Sequence, residues 1–148
     1  MNREEYMAAA LELAREAFAA GEVPVGCVIA DSEGRIIGRG RNRREGRGGA
    51  TAHAELEAIR QACAAVGDWR LDTCAIYVTL EPCPMCAGAI INARIGTVVF
   101  GARERLSGSC GSVIGLFSER YGHHPAVYAG VLDDACAALL RDFFRGKR

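Results

Sequence analysis

Apolar residues at Tyr6, Ala10, Leu13, Ala17 and Phe18 recur at three- and four-residue steps, with Glu4, Glu12, Arg15 and Glu16 between them and Gly21 after them. That period predicts an amphipathic helix ending at Gly21 whose apolar side covers a sheet. Residues 23–30 are apolar and β-branched, Asp31-Ser32-Glu33-Gly34 is turn chemistry, and residues 35–39 resume the strand pattern, so a β-hairpin is predicted. Residues 40–49 carry Arg41, Arg43, Arg44 and Arg47 beside Asn42 and glycines, and read as an exposed basic loop. A second helix is predicted over 51–66, a buried strand over 75–80 stopped by Pro82, and a third helix over 84–93. A fourth strand over 97–100, a Gly/Ser-rich loop over 107–112, a short element over 113–117, a last strand over 126–131 and a closing helix over 133–144 complete the pattern. Strands alternating with helices predict a three-layer α/β/α domain; the opening hairpin makes its five-stranded sheet mixed.

Composition narrows the class. A chain of 148 residues with 50% hydrophobic and 24% charged residues fits one soluble domain over 1–148, large enough to fold without a disulfide or structural metal. Eighteen basic residues balance eighteen acidic ones, so no global cationic field draws in DNA or anionic lipid, and any nucleic acid is met locally. The odd count of seven cysteines and the charged start Met1-Asn2-Arg3-Glu4-Glu5 predict reduced thiols and a cytoplasmic location. No apolar run approaches the length of a membrane span, so no membrane partner is expected.

Two short segments carry the chemistry: Thr51-Ala52-His53-Ala54-Glu55 and Glu81-Pro82-Cys83-Pro84-Met85-Cys86, with 29 residues between His53 and Cys83. His53, Cys83 and Cys86 offer one imidazole and two thiolates, three zinc ligands and one fewer than a closed structural site uses. The fourth position is then free for a water whose pKa zinc lowers to about 7, generating a hydroxide nucleophile. Deamination also needs a group that protonates a ring nitrogen and the departing amine, and Glu55 is placed to shuttle those protons. Cys83 and Cys86 flank a predicted helix start, where the dipole favours thiolate. Because residues two apart do not share a helix face, His53 and Glu55 reach one metal only if the helix end turns them inward. Cys27, Cys63, Cys74, Cys110 and Cys136 have no such neighbours and read as small apolar residues. His123 and His124 read either as substrate contacts or as satisfied loop histidines.

His-Ala-Glu followed by Pro-Cys-x-x-Cys is the pattern of zinc-dependent nucleobase deaminases. The chain resembles the bacterial tRNA-specific adenosine deaminases (the TadA family) of the cytidine/deoxycytidylate deaminase superfamily. The resemblance extends through Glu22-Val23-Pro24-Val25-Gly26, Arg41-Asn42-Arg43, Val78-Thr79-Leu80-Glu81, Met85-Cys86-Ala87-Gly88-Ala89, Arg94-Ile95-Gly96, residues 98–103 and Asp142-Phe143-Phe144-Arg145. It implies a cytidine-deaminase-like fold, a homodimer with one zinc ion per subunit, and hydrolysis of adenosine to inosine at the wobble position of a tRNA anticodon stem-loop, with no DNA substrate. It further implies that Asn42 hydrogen-bonds the target nucleoside and that Val25 walls the base pocket. The C-terminal segment 143–148 reads in two ways, as aromatic and basic contacts to loop bases and phosphates or as one core Phe with a solvated tail.

Three stretches depart from the family. Gly48-Gly49-Ala50 stands where an acidic residue and proline are usual, and Glu104, Leu106 and Ser107-Gly108 replace an Asp, a basic residue and Thr-Gly. His123-His124 replaces an Asn-His pair. All three lie where an RNA loop would rest and leave the metal residues untouched. Two competing readings follow. One is a deaminase of the same fold acting on a free base or nucleoside such as guanine or cytosine, kept open by the neutral net charge. The other is a structural zinc module, against which the free carboxylate of Glu55 speaks.

Overall fold

The computed structural model describes residues 1–147, apart from the side chain of Arg47. Arg148 and the Arg47 side chain, both counted among the basic groups above, lie outside the described residues. The elements run α1 (Arg3–Ala19), β1 (Gly26–Ala30), β2 (Ile36–Arg41), α2 (Ala54–Val66), β3 (Ala75–Leu80), α3 (Pro84–Ala93), β4 (Thr97–Ala102), β5 (Ala126–Tyr128) and α4 (Asp133–Arg145). The five strands form one mixed sheet in the order β2-β1-β3-β4-β5. β1 is antiparallel to β2 and β3, and β3, β4 and β5 are parallel.

Each face of the sheet is covered by two helices, so the predicted three-layer α/β/α cytidine-deaminase-like architecture is the observed one. Ala54, Ala58 and Ala62 of α2 and Ala87, Ile90 and Ile91 of α3 pack on Cys27, Ile29, Ile76, Val78, Val98 and Phe100. Across the sheet, Tyr6, Met7, Ala10 and Leu11 of α1 and Cys136 of α4 cover Val28, Tyr77 and Val99. The first helix therefore covers the sheet as predicted, with Tyr6, Ala10 and Ala17 of the pattern buried, while Leu13 is half-buried and Phe18 exposed. The Asn2 side chain caps α1 by accepting from the Glu5 amide at 2.9 Å, and Glu4 and Glu5 complement its dipole. In the hairpin, the Asp31 carboxylate accepts from the amides of Glu33 and Arg35 at 3.0 and 2.9 Å, and Gly34 turns at φ +85°.

Several boundaries differ from the pattern, each for a physical reason. Strand β1 starts at Gly26, because residues 23–25 form a tight turn closed by the Val25 amide on the Val23 carbonyl at 2.9 Å. Strand β2 continues through Gly40 and Arg41, residues assigned above to the loop. Their glycine is a packing device rather than a turn. A Cβ on Gly40 would sit 2.1 Å from the Ala54 carbonyl oxygen, and one on Gly38 2.2 Å from that of Ala58. The two glycines let α2 lie directly on β2, whose outer amides are then satisfied by α2 side chains: Arg39 donates to Gln61 at 3.0 Å and Arg41 to Glu57 at 3.1 Å. Helix α2 begins at Ala54 instead of residue 51, because His53 keeps an extended backbone at φ −86°, ψ 150°. Strand β5 ends at Tyr128, where the chain turns toward Gly130 at φ +83°.

These contacts set opposite signs for two glycine substitutions. Gly40→Ala is expected to destabilise the protein by about 1–3 kcal/mol, as overpacking does. Gly88→Ala, in the middle of α3 with nothing within 4 Å of the added carbon, is expected to stabilise it by about 0.5–1 kcal/mol. Thermal or denaturant unfolding reads both. A neutral Gly40→Ala would show that α2 is not held at the distance described.

Candidate active site

His53 and Cys83 are the N-cap residues of α2 and α3, and neither side chain caps its own helix. Instead the two extended caps turn toward each other, and Cys86 joins them from the first turn of α3, behind Pro84. The thiol sulfurs of Cys86 and Cys83 lie 3.5 and 3.7 Å from His53 Nδ1. All three donor atoms fall within 4.8 Å of one another. An ion bound tetrahedrally at about 2.3 Å from sulfur and 2.0–2.1 Å from imidazole nitrogen places its nitrogen and sulfur ligands about 3.5 Å apart, so both sulfurs already stand at the distance from His53 Nδ1 that such a site requires. The N-termini of two helices meet here, and their dipoles favour negative charge on the sulfurs.

The donors are electrostatically linked. A hydrogen bond from Cys86 pulls the Cys83 thiol down to about 4, and His53 adds to the effect. The same hydrogen bond, together with burial, pushes Cys86 up, and the hydrogen bond to Cys83 raises His53. A divalent cation attracted to the Cys83 thiolate would displace the remaining proton, as metal binding to thiols does.

Glu55 occupies the second position of α2, one residue beyond the cap's neighbour, which resolves the spacing problem: the extended His53 and the helical Glu55 turn into one space. Glu55 is 4% exposed. Burial pushes its carboxyl up to about 7, against the opposing pull of its backbone amide and of His53. A carboxyl poised near neutrality can both take and give a proton.

Above this floor opens a cavity of about 210 Å³. That is below the roughly 300–1,000 Å³ of pockets for drug-sized ligands and leaves room for one base rather than a larger ligand. His53, Glu55 and Cys83 line it from below, Val23, Val25, Leu80 and Phe144 supply apolar surface, Asn42, Arg44, Glu104 and Ser107 stand at its rim, and Ala54 and the buried Glu81 also touch it. His53, Cys83, Glu55, Asn42 and Val25 therefore reach one place, and the Cys86 sulfur, 3.5 Å from His53 Nδ1, is buried beside it. Asn42 is not part of an exposed loop: it is 6% exposed, its amide nitrogen donates to the Val23 carbonyl at 3.2 Å, and its side-chain oxygen accepts from the Arg44 amide at 3.1 Å. One amide hydrogen and one lone pair remain for a ligand.

The C-terminal segment divides its two Phe residues. Phe143 is buried with its ring edge-on to Phe18 at 5.6 Å, while Phe144 is 53% exposed and lines the cavity. His123 and His124 donate to the carbonyls of Ile95 and Phe117 at 2.7 and 2.6 Å and do not line the cavity. The other five cysteines are free; Cys27, Cys74 and Cys136 are buried and Cys63 and Cys110 half-buried. Burial pushes Cys110 up to about 12 and Cys136 up to about 11, which leaves them as thiols.

Two buried carboxylates escaped the sequence reading. Glu22 accepts from the amides of Glu45 and Gly46, both at 2.9 Å. Glu81 accepts from the amides of Glu104, Cys110 and Ser112 at 3.1, 3.0 and 3.0 Å, and from the Ser112 hydroxyl. Burial raises the Glu81 carboxyl, but these donors outweigh it and hold the group below the usual carboxylate range. The only signal in the sequence is an acidic residue at the end of an apolar strand, immediately before Pro82.

The family model of MafB19-like deaminases matches residues 1–148. The chain belongs to the MafB19-like deaminase family. Among its relatives, a tRNA-specific adenosine deaminase of Bacillus subtilis is 45% identical over 98% of this chain and 90% of its own. Among solved structures, a tRNA:A34 deaminase studied for A-to-I editing at the wobble position superposes with a TM-score of 0.87 at 43% identity, over 92% of this chain and 99% of that one. The guanine deaminase of Nitrosomonas europaea superposes at 0.77 with 28% identity, over 95% of this chain and 83% of that one. This MafB19-like deaminase is thus similar both to enzymes of RNA and to an enzyme of a free base.

Proposed function

We propose that this chain is a tRNA-specific adenosine deaminase, hydrolysing adenosine to inosine and ammonia at the wobble position of a tRNA anticodon loop. The observation that carries the reading is the meeting of His53, Cys83, Cys86 and buried Glu55 beneath a cavity sized for one base, in a chain 45% identical along nearly its full length to a tRNA-specific adenosine deaminase. Residues 1–148 form one deaminase domain in this reading, supported by the span of the family match. It acts in the cytoplasm as a homodimer with one zinc ion per subunit; no helix among the described residues is long and apolar enough to cross a membrane.

Two thiolates and an imidazole suit zinc. Bound there by His53, Cys83 and Cys86, zinc supplies Lewis acidity that lowers the pKa of water to about 7. Glu55 would remove one proton from the attacking water and carry it to the ring nitrogen next to the amino-bearing carbon, then take the second proton from the hydroxyl now on that carbon and give it to the departing amine, so that water and adenosine yield inosine and ammonia. Asn42 orients the nucleoside through its remaining donor and acceptor, and Val25 packs on the base. The target is already in a single-stranded loop, so turning it outward costs only a few kcal/mol.

Although the net charge is zero, Arg44 stands at the cavity and Phe144 presents an exposed ring beside it. An aromatic face and a guanidinium are what a splayed RNA loop requires. Phe144→Ala is expected to weaken binding of an anticodon stem-loop about 5- to 100-fold, the worth of one base stack, while metal content stays unchanged. A filter-binding or fluorescence titration checks it, and unchanged affinity would return Phe144 to a solvated surface role.

The second reading, deamination of guanine, is supported by the superposition on the Nitrosomonas europaea enzyme. Competition separates the two. Zinc-loaded protein given an anticodon stem-loop beginning with adenosine, or guanine, is expected to release ammonia from the stem-loop alone. Release from guanine alone would overturn the tRNA reading.

A further inference from the structure

The metal donors and Glu55 are fixed by helix ends, but the upper part of the cavity is built from loops. Asn42 and Arg44 come from the segment after β2, and Glu104 and Ser107 from the segment after β4. Backbone hydrogen bonds tie the roots of these segments to the body: the Asn42 amide donates to the Val25 carbonyl at 3.1 Å, and the Arg43 and Ser109 amides donate to the Ala52 and Pro82 carbonyls, both at 2.9 Å. Beyond those points the loops are gathered by two buried carboxylates.

Glu22 is 5% exposed and Glu81 2%. Each uses both oxygens on a rim loop. The Glu22 Oε1 and Oε2 atoms take the consecutive amides of Glu45 and Gly46. Glu81 Oε1 takes the Glu104 amide and the Ser112 hydroxyl, and Oε2 takes the amides of Cys110 and Ser112. One side chain thus gathers a nine-residue loop at its start and its end. The loop wraps it so closely that a Cβ on Gly108 would lie 2.5 Å from Glu81 Cδ and 2.2 Å from the Glu104 carbonyl oxygen. An ionised carboxylate is an acceptor only, so it can collect several amides that point at one spot; no neutral side chain of that size offers as many acceptor sites.

We propose that Glu22 and Glu81 are positioning residues that hold the two rim loops of the cavity in the arrangement that admits the RNA. They act through Asn42 and Arg44 on one loop and through Glu104 and Ser107 on the other. The inference rests on the tRNA reading for the identity of the ligand, but the clamping itself is independent of substrate.

Glutamine tests it, because it keeps the volume and turns one acceptor into a donor that faces a backbone N–H. In Glu22→Gln, amide hydrogen exchange over residues 44–46 is expected to accelerate at least about tenfold; in Glu81→Gln the same is expected over 104–112, with exchange in α2 and β3 unchanged. Both variants are expected to keep one metal ion per chain. The KM for an adenosine-containing anticodon stem-loop is expected to rise at least about tenfold while kcat changes less than about threefold. If Glu81→Gln does not fold, Gly108→Ala carries the same test, since its methyl group pushes the loop off an intact carboxylate. Unchanged loop exchange, or a fall in kcat at constant KM, would overturn the proposal. Failure of the wild-type protein to form inosine would overturn the tRNA reading alone, and loop exchange would still decide the clamp.

Discussion

Glu55→Gln is expected to retain its metal and its fold while turnover falls by at least about 10²–10⁴-fold, the usual contribution of a general acid–base group. The side chain is 4% exposed, and burial holds its carboxyl at about 7. Glutamine has the same shape, so the cavity is unchanged, and it carries no titratable proton, so neither the attacking water nor the leaving amine is served. Removing a buried acid whose ionised form is opposed by burial is not expected to lower the melting temperature. Single-turnover inosine formation, read beside elemental analysis for the metal, separates proton transfer from metal loss. Full turnover in the variant would assign the proton to another group; loss of the metal would make Glu55 part of the ligand environment.

Cys86→Ala carries the second large effect. Cys86 is fully buried in the first turn of α3 and lies 3.5 Å from His53 Nδ1. Its loss leaves two donors. Since deleting even an outer-shell partner of a metal ligand costs 10- to 100-fold in affinity, removing a ligand is expected to cost at least about 100-fold, with turnover lost at ordinary metal concentrations. Cys136→Ala, which removes an equally buried sulfur on the other side of the sheet, is the control and is expected to keep both metal and turnover. A Cys86→Ala protein that held zinc and made inosine would show that the three-donor cluster is not the metal centre.

The parts of the molecule legible in the sequence are those written by local periodicity and by side-chain chemistry at fixed spacing. The three- and four-residue steps in 6–18 placed α1 on the sheet with Tyr6, Ala10 and Ala17 buried, though Phe18 stays exposed, and the β-branched runs placed the strands to within about three residues at their ends. His53, Glu55, Cys83 and Cys86 were legible because few residue types can hold a metal and move a proton. What stayed hidden depends on neighbours distant in the chain. Gly40 looks like turn chemistry until α2 is seen lying over it, with the Ala54 carbonyl where a Cβ would go. Asn42 looked exposed because its arginine-rich neighbours are polar, yet the Val23 carbonyl and the Arg44 amide draw it inward. Glu22 and Glu81 bind backbone amides, which have no side-chain signature, so only the folded chain shows which amides they gather.

The most direct test of the central claim is position-resolved sequencing of a tRNA whose anticodon begins with adenosine, after incubation with the zinc-loaded protein. Inosine reads as guanosine. The account predicts conversion at the first anticodon position and nowhere else in that tRNA, with none in the Glu55→Gln reaction. An unchanged adenosine at that position, alongside release of ammonia from free guanine, would contradict it.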